Sequence, residues 1–115
     1  MTQIEKSLYR WAFAAGRKLL EEYEKMYGTE RAEKKMETLL LTLKSESIPD
    51  RFRRALIDAL IEASPNVGIP LEVKVERPWK VSEFYRYSTA ILAGFFDTLN
   101  AWREERKKAQ GESDA

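Results

Sequence analysis

Residue types bound the chemistry open to this chain before any element is placed. Its 115 residues include no histidine and no cysteine. That excludes Cys–His and Ser–His nucleophile pairs and removes the commonest general base and the commonest metal ligand. The glycines, at positions 16, 28, 68, 94 and 111, are too scattered to form a phosphate-cradling loop. Carboxylates remain. Asp58 with Glu62, and Glu33 with Glu37, stand four residues apart, so on a helix each pair shares a face where a divalent ion could sit. With no histidine to join them and basic residues nearby, solvated charge is the better reading. Asp97, set between Phe96 and Thr98 in an apolar stretch, reads either as a half-buried acid paired with an arginine or as part of a polar stripe. The sequence therefore predicts no catalytic residue, no metal site and no cofactor.

Cations carry the stronger signal. Arg51, Arg53 and Arg54 fall in the first turns of a short helix, where positive charge opposes the helix dipole unless an anion or an acidic partner offsets it. Asp50 supplies part of that offset, and the N-terminal amides would add to a phosphate site. If the three arginines contact nucleic acid, replacing them by Glu is expected to abolish nucleic-acid retention while leaving the fold intact. A second group comprises Lys74, Arg77, Lys80 and Arg86, interleaved with Trp79, Tyr85 and Tyr87. Cations beside rings suit nucleic acid, where rings stack on bases and charges meet phosphates, and they suit protein interfaces equally. Trp79 has a third, structural reading, as a pin holding its loop to the bundle. The last group, Arg103, Arg106, Lys107 and Lys108, lies near a helix C-terminus, where the dipole alone favours it.

Helices must position these groups. Ile4, Leu8, Trp11, Ala15, Leu19, Tyr23 and Met26 recur at steps of three and four, predicting a helix over 2–27 capped by Thr2 and Glu5 and stopped by Gly28. Thr29 is expected to cap a second helix over 30–44, with Ala32, Met36, Leu39, Leu40 and Leu43 inward. Pro49 suits the first position of a third, whose predicted inner face is Phe52, Leu56, Ala59, Leu60 and Ala63. Ser82 is expected to cap a last helix running to about Ala109, with Phe84, Tyr87, Ile91, Phe95, Thr98 and Trp102 as its stripe. Small residues, Ala12, Ala14, Ala15 and Gly16 in the first helix and Ala90, Ala93 and Gly94 in the last, point to a close crossing of the two, or to a groove for a partner. Leu71 to Glu76 alternates apolar and charged residues, as an extended loop or a short strand pairing with another chain.

The expected fold is all-α: a four- to five-helix bundle over 1–109, with one extended loop or short strand around 69–76 and a disordered tail over 110–115. Composition agrees, with 43% hydrophobic residues, 34% charged, and only five glycines and four prolines. The surplus of Glu, Lys and Arg without cysteine also fits a heat-adapted source. A net charge of +1 is no mark of a dedicated nucleic-acid binder but leaves room for a local basic face. Met1 to Lys6 lacks a basic stretch followed by an apolar run, and the longest apolar stretch, around Ala90 to Phe96, is too short for a bilayer. A cytoplasmic location and no membrane contact are expected.

Two segments, Trp11-Ala12-Phe13-Ala14-Ala15-Gly16-Arg17 and the stretch from Phe84 to Phe96 (FYRYSTAILAGFF), resemble the small all-helical subunits of CRISPR effector complexes of type I-A and type III. Together they cover less than a quarter of the chain. The resemblance implies a non-catalytic subunit in antiviral defence. Such a subunit stacks along a crRNA-guided complex, touches copies of itself and other effector subunits, and steadies the guide–target duplex or displaced strand through backbone contacts. No motif residue carries over from the family. Charge clustering alone nominates Arg51, Arg53, Arg54, Arg77, Lys80 and Arg86 for nucleic acid. The alternative is a helical protein-interaction module or regulator without a nucleic-acid role, using Trp79, Leu71, Val73, Val75 and Tyr85. A carboxylate-metal enzyme is a third class, and it requires acids converging inside the bundle.

Overall fold

A computed structural model describes residues 1–73 and 76–114, with side chains placed as far as Gly111. Lys74 of the second basic group and Val75 of the proposed protein interface lie outside the described residues. Four helices follow in order: α1 Gln3–Tyr27, α2 Thr29–Lys44, α3 Asp50–Ala63 and α4 Val81–Asp114. A 3-10 turn at Ser64–Val67 extends α3. No strand occurs among the described residues, and of the alternating segment Leu71 to Val73 and Glu76 are loop. The fold is an all-α bundle, as the sequence predicts.

Local chemistry explains most boundaries. The amide of Glu5 donates to Thr2 Oγ1 at 3.2 Å, and the Thr2 hydroxyl donates to Glu5 Oε1 at 3.0 Å, which fixes the start of α1. Gly28, at φ 84°, ends α1 and opens α2 within one residue. The expected cap, Thr29, is instead the first helical residue and makes no side-chain capping bond. Pro49 stands just before α3 and not inside it, its carbonyl accepting from Phe52 and Arg53. Ser82 likewise lies inside α4. The Glu83 carboxylate accepts from the Lys80 amide at 2.9 Å, so Lys80 occupies the cap position. Helix continues past Ala109 to Asp114.

Helices α1 and α4 run parallel. Glu5 meets Arg86, Tyr9 meets Asp97 and Arg17 meets Glu105, in ascending order on both. Small residues make the crossing. A Cβ on Gly94 would stand 2.5 Å from the Tyr9 carbonyl oxygen and 2.8 Å from Ala12 Cβ, and one on Gly16 would stand 2.5 Å from Thr98 Cγ2. The close-crossing reading of the small residues is the one these contacts show. Helix α2 packs antiparallel on the pair, its Glu33 reaching Arg103 and its Lys44 lying over the Phe96 ring. The core is built from Leu8, Trp11 and Leu20 of α1, Met36, Leu40 and Leu43 of α2, and the whole predicted stripe of α4. At ~1.5 Å per residue the 34 residues of α4 span ~51 Å. That nearly equals the longest dimension of the molecule, 52 Å, so α4 is the axis on which the rest is hung.

Helix α3 is turned only part-way from the face its apolar pattern predicts: Leu56 and Leu60 are half-buried against the core. Ile57 and Ile61 are buried, followed by Ser64 of the 3-10 turn. Phe52, expected inward, is 58% exposed, and Ala59 and Ala63 also face solvent. Arg53 is the physical reason. Its Nε donates to the Leu43 carbonyl at 2.7 Å, and Nη2 donates to the carbonyls of Ser45 and, at 3.4 Å, Ile48. These carbonyls lie at and beyond the C-terminus of α2, where backbone acceptors lose their helical partners. Turning residue 53 inward brings 57, 61 and 64 inward with it, one helical turn at a time.

Candidate binding face

Three of the six nominated cations are spent inside the molecule. Arg53 also pairs with Asp50, Nη1 to Oδ1 at 2.6 Å, and is occupied by the α2–α3 junction as described above. Arg54 Nη1 donates to the Trp79 carbonyl at 2.7 Å while its guanidinium lies 4.3 Å from the centre of the Phe84 ring. Arg77 Nη1 donates to Asp58 at 3.0 Å. Asp58 is thus held by Arg77. The reading of Arg51, Arg53 and Arg54 as one solvated face is corrected: of the three only Arg51 is exposed, its guanidinium 5.2 Å from the Phe52 ring centre.

Trp79 is 7% exposed and packs edge-on against Tyr87 at 5.2 Å. It is the structural pin, and with Arg54 and Phe84 it clamps α3 to the start of α4. Leu71 and Val73 are half-buried, with Leu71 against the core. The first part of the loop is tied down by the Trp11 indole, whose Nε1 donates to the Ile69 carbonyl at 3.1 Å. Of the nominated protein-interface residues that are described, Tyr85 alone is widely open, at 64%.

Exposed cations and apolar side chains neighbour the clamp residues along the chain. Lys80 sits at the head of α4, followed by Val81, Tyr85 and Arg86 in the first turns, while Arg51 and Phe52 occupy the first turn of α3 on the other side of Arg54. Val81 is 66% exposed. The sequence pattern assigned Val81 no role and turned Phe52 inward, so both escaped notice. The α3 register set by Arg53 is the signal that places Phe52. Nearby carboxylates are engaged locally: Asp50 by Arg53, Asp58 by Arg77, and Glu83 by the Lys80 amide. Arg86 keeps only a long contact of 3.9 Å to Glu5. These residues offer cations, two rings and an aliphatic side chain, able to contact phosphates or an apolar partner.

Elsewhere two acids of α2 are held by arginines of α4. Arg103 Nε meets Glu33 at 2.5 Å, its Nη2 meets Glu37, and Arg106 Nη1 meets Glu33 at 2.6 Å, latching the far half of α4 to α2. Burial pushes the Glu33 carboxyl up, but the hydrogen bonds and charges of Arg103 and Arg106 outweigh it and leave the group below its ordinary range. Burial likewise works against the Arg103 charge, and the two glutamates outweigh it, so its pKa is raised. Asp97 is exposed and accepts the Tyr9 hydroxyl, so its partner is a tyrosine and not an arginine. That hydrogen bond, with some desolvation and the Asp97 charge, raises the Tyr9 pKa. Among the described residues no group of three or more acids converges to hold a metal, and no helix is long and apolar enough to cross a membrane. No protein-family model, curated protein or solved structure matches the chain.

Proposed function

We propose that this chain acts by binding, as a non-catalytic helical subunit of a nucleic-acid-containing assembly. The resemblance of its two central segments to small subunits of crRNA-guided effector complexes suggests which assembly. The supporting observation is the exposed set Arg51, Lys80 and Arg86, interleaved with Phe52, Val81 and Tyr85 and held in place by the Arg54–Trp79–Phe84 clamp. Fixed cations around open rings suit sequence-independent contact with a phosphate backbone, which weakens steeply with salt. The resembling segments form the α1–α4 crossing itself, with Ala12, Gly16, Ala90 and Gly94 buried, so the likeness bears on how the subunit is built more than on what it touches.

A protein-only interaction module is the second reading. It is favoured by the internal use of Arg53, Arg54 and Arg77, which leaves the exposed apolar atoms of Phe52, Val81 and Tyr85 prominent on the face. Purification of the tagged chain from native extract, with and without nuclease, separates the two. Co-purifying RNA or DNA together with several protein subunits supports the first. A single protein partner, unchanged by nuclease and free of nucleic acid, refutes it.

A further inference from the structure

A second surface, outside every group the charge pattern nominates, lies where α1 and α2 meet beside Gly28. Tyr23 and Tyr27 of α1 and Lys34, Lys35, Thr38 and Thr42 of α2 line an open groove. The two rings stand 6.4 Å apart, and Lys35 Nζ lies 4.3 Å from the centre of the Tyr27 ring. Over residues 33–37 of α2 the acids and the lysines face different ways. Glu33 and Glu37 face α4 and are held there by Arg103 and Arg106, whereas Lys34 and Lys35 face the groove. No carboxylate lines it, and neither lysine has an ion pair among the described residues.

We infer that this groove binds single-stranded nucleic acid, the lysines meeting phosphates, the threonine hydroxyls donating to phosphate oxygens, and the Tyr27 ring stacking on a base. The absence of lining acids argues for a polyanion. The open ring beside a cation argues for a strand whose bases are unstacked, since a duplex hides its base faces. An acidic protein segment would use the lysines but gain little from the ring. Glu33, next to Lys34, meets Arg103, and Arg86 lies 17 positions earlier on α4, so the groove sits ~25 Å along the bundle from the face around Lys80. It is a separate site, and it rests on the nucleic-acid reading proposed above only in the class of ligand.

Fluorescence anisotropy of the full chain with a labelled 20-nucleotide oligo-uridine or oligo-thymidine, beside a duplex of equal length, tests it. We expect Lys34→Glu with Lys35→Glu to weaken strand binding roughly tenfold or more and to flatten its salt dependence. Tyr27→Ala should cost the single strand roughly tenfold and the duplex little, whereas Tyr27→Phe, which keeps the ring, should bind as the parent does. Circular dichroism of each variant guards against unfolding. Strand binding unchanged in the lysine and Tyr27→Ala variants overturns the groove and leaves the Lys80 face standing. No strand binding by the parent chain also overturns the groove, whereas the face is judged by what the assembled complex retains.

Discussion

Arg53 Nε donates to the carbonyl oxygen of Leu43 at 2.7 Å across the turn between α2 and α3. A side chain that the sequence marks for solvent is thus a structural bolt, and its neighbour Arg51 is the one left outside. The two arginines should behave differently. Arg53→Ala strips donors from several backbone carbonyls at once and should lower unfolding free energy by about 2 kcal/mol, within the range for charged hydrogen bonds. Arg51→Ala, on an exposed side chain, should fall within about 0.5 kcal/mol of the parent. Urea denaturation of both variants reads the difference, and equal losses would contradict the assignment.

The α1–α4 crossing makes a second contrast. Gly94→Ala places a methyl 2.5 Å from the Tyr9 carbonyl oxygen and 3.0 Å from the Phe13 nitrogen, both backbone atoms that move only if the helices part. A loss of about 2 kcal/mol or more is expected. Gly111→Ala meets nothing within 4 Å and should be neutral or slightly stabilising, because alanine favours helix over glycine. Thermal melts of the two variants test this, and a tolerated Gly94→Ala would mean that the helices cross farther apart.

The latch between α2 and α4 should show in the acid limb of stability. The folded-state pKa of Glu33 is lowered, so the pairing contributes fully above the ordinary carboxylate range and is lost as pH falls through the folded value. Arg103→Met should destabilise the chain by about 1 kcal/mol at neutral pH and flatten the fall of stability below pH ~5. Added salt should weaken the parent more than the variant. An acid limb identical in both would assign the lowered Glu33 pKa no role in holding the helices together.

Much of this architecture was legible because α1 and α4 are long. Over six or more turns the recurrence of Leu8, Trp11, Phe84, Phe95 and Trp102 leaves one choice of inner face, and glycine and alanine at the centres mark where two backbones approach. The short α3 defeated the same logic. Its four turns carry apolar residues on two overlapping stripes, and the one chosen is decided by Arg53 reaching carbonyls eight to ten positions earlier, a non-local hydrogen bond that no periodicity encodes. Positive charge located the general region of the candidate face but not its members. Arg54 and Arg77 look as available as Arg51 until Trp79, Phe84 and Asp58 are placed beside them. The Tyr27–Lys35 pair escaped because the two residues belong to different helices, brought together only by the one-residue turn at Gly28.

Exposed cations around the clamp are the central claim. The measurement that tests it most directly is the nucleic acid retained by the native assembly when Arg51→Glu, Lys80→Glu and Arg86→Glu are combined in the tagged chain. None of the three bears on the core, so circular dichroism and the melting curve should match the parent. Retained nucleic acid should fall several-fold, and its release should require less salt. Assemblies that recover the same amount, with the same salt dependence, would contradict a backbone-binding role for this face.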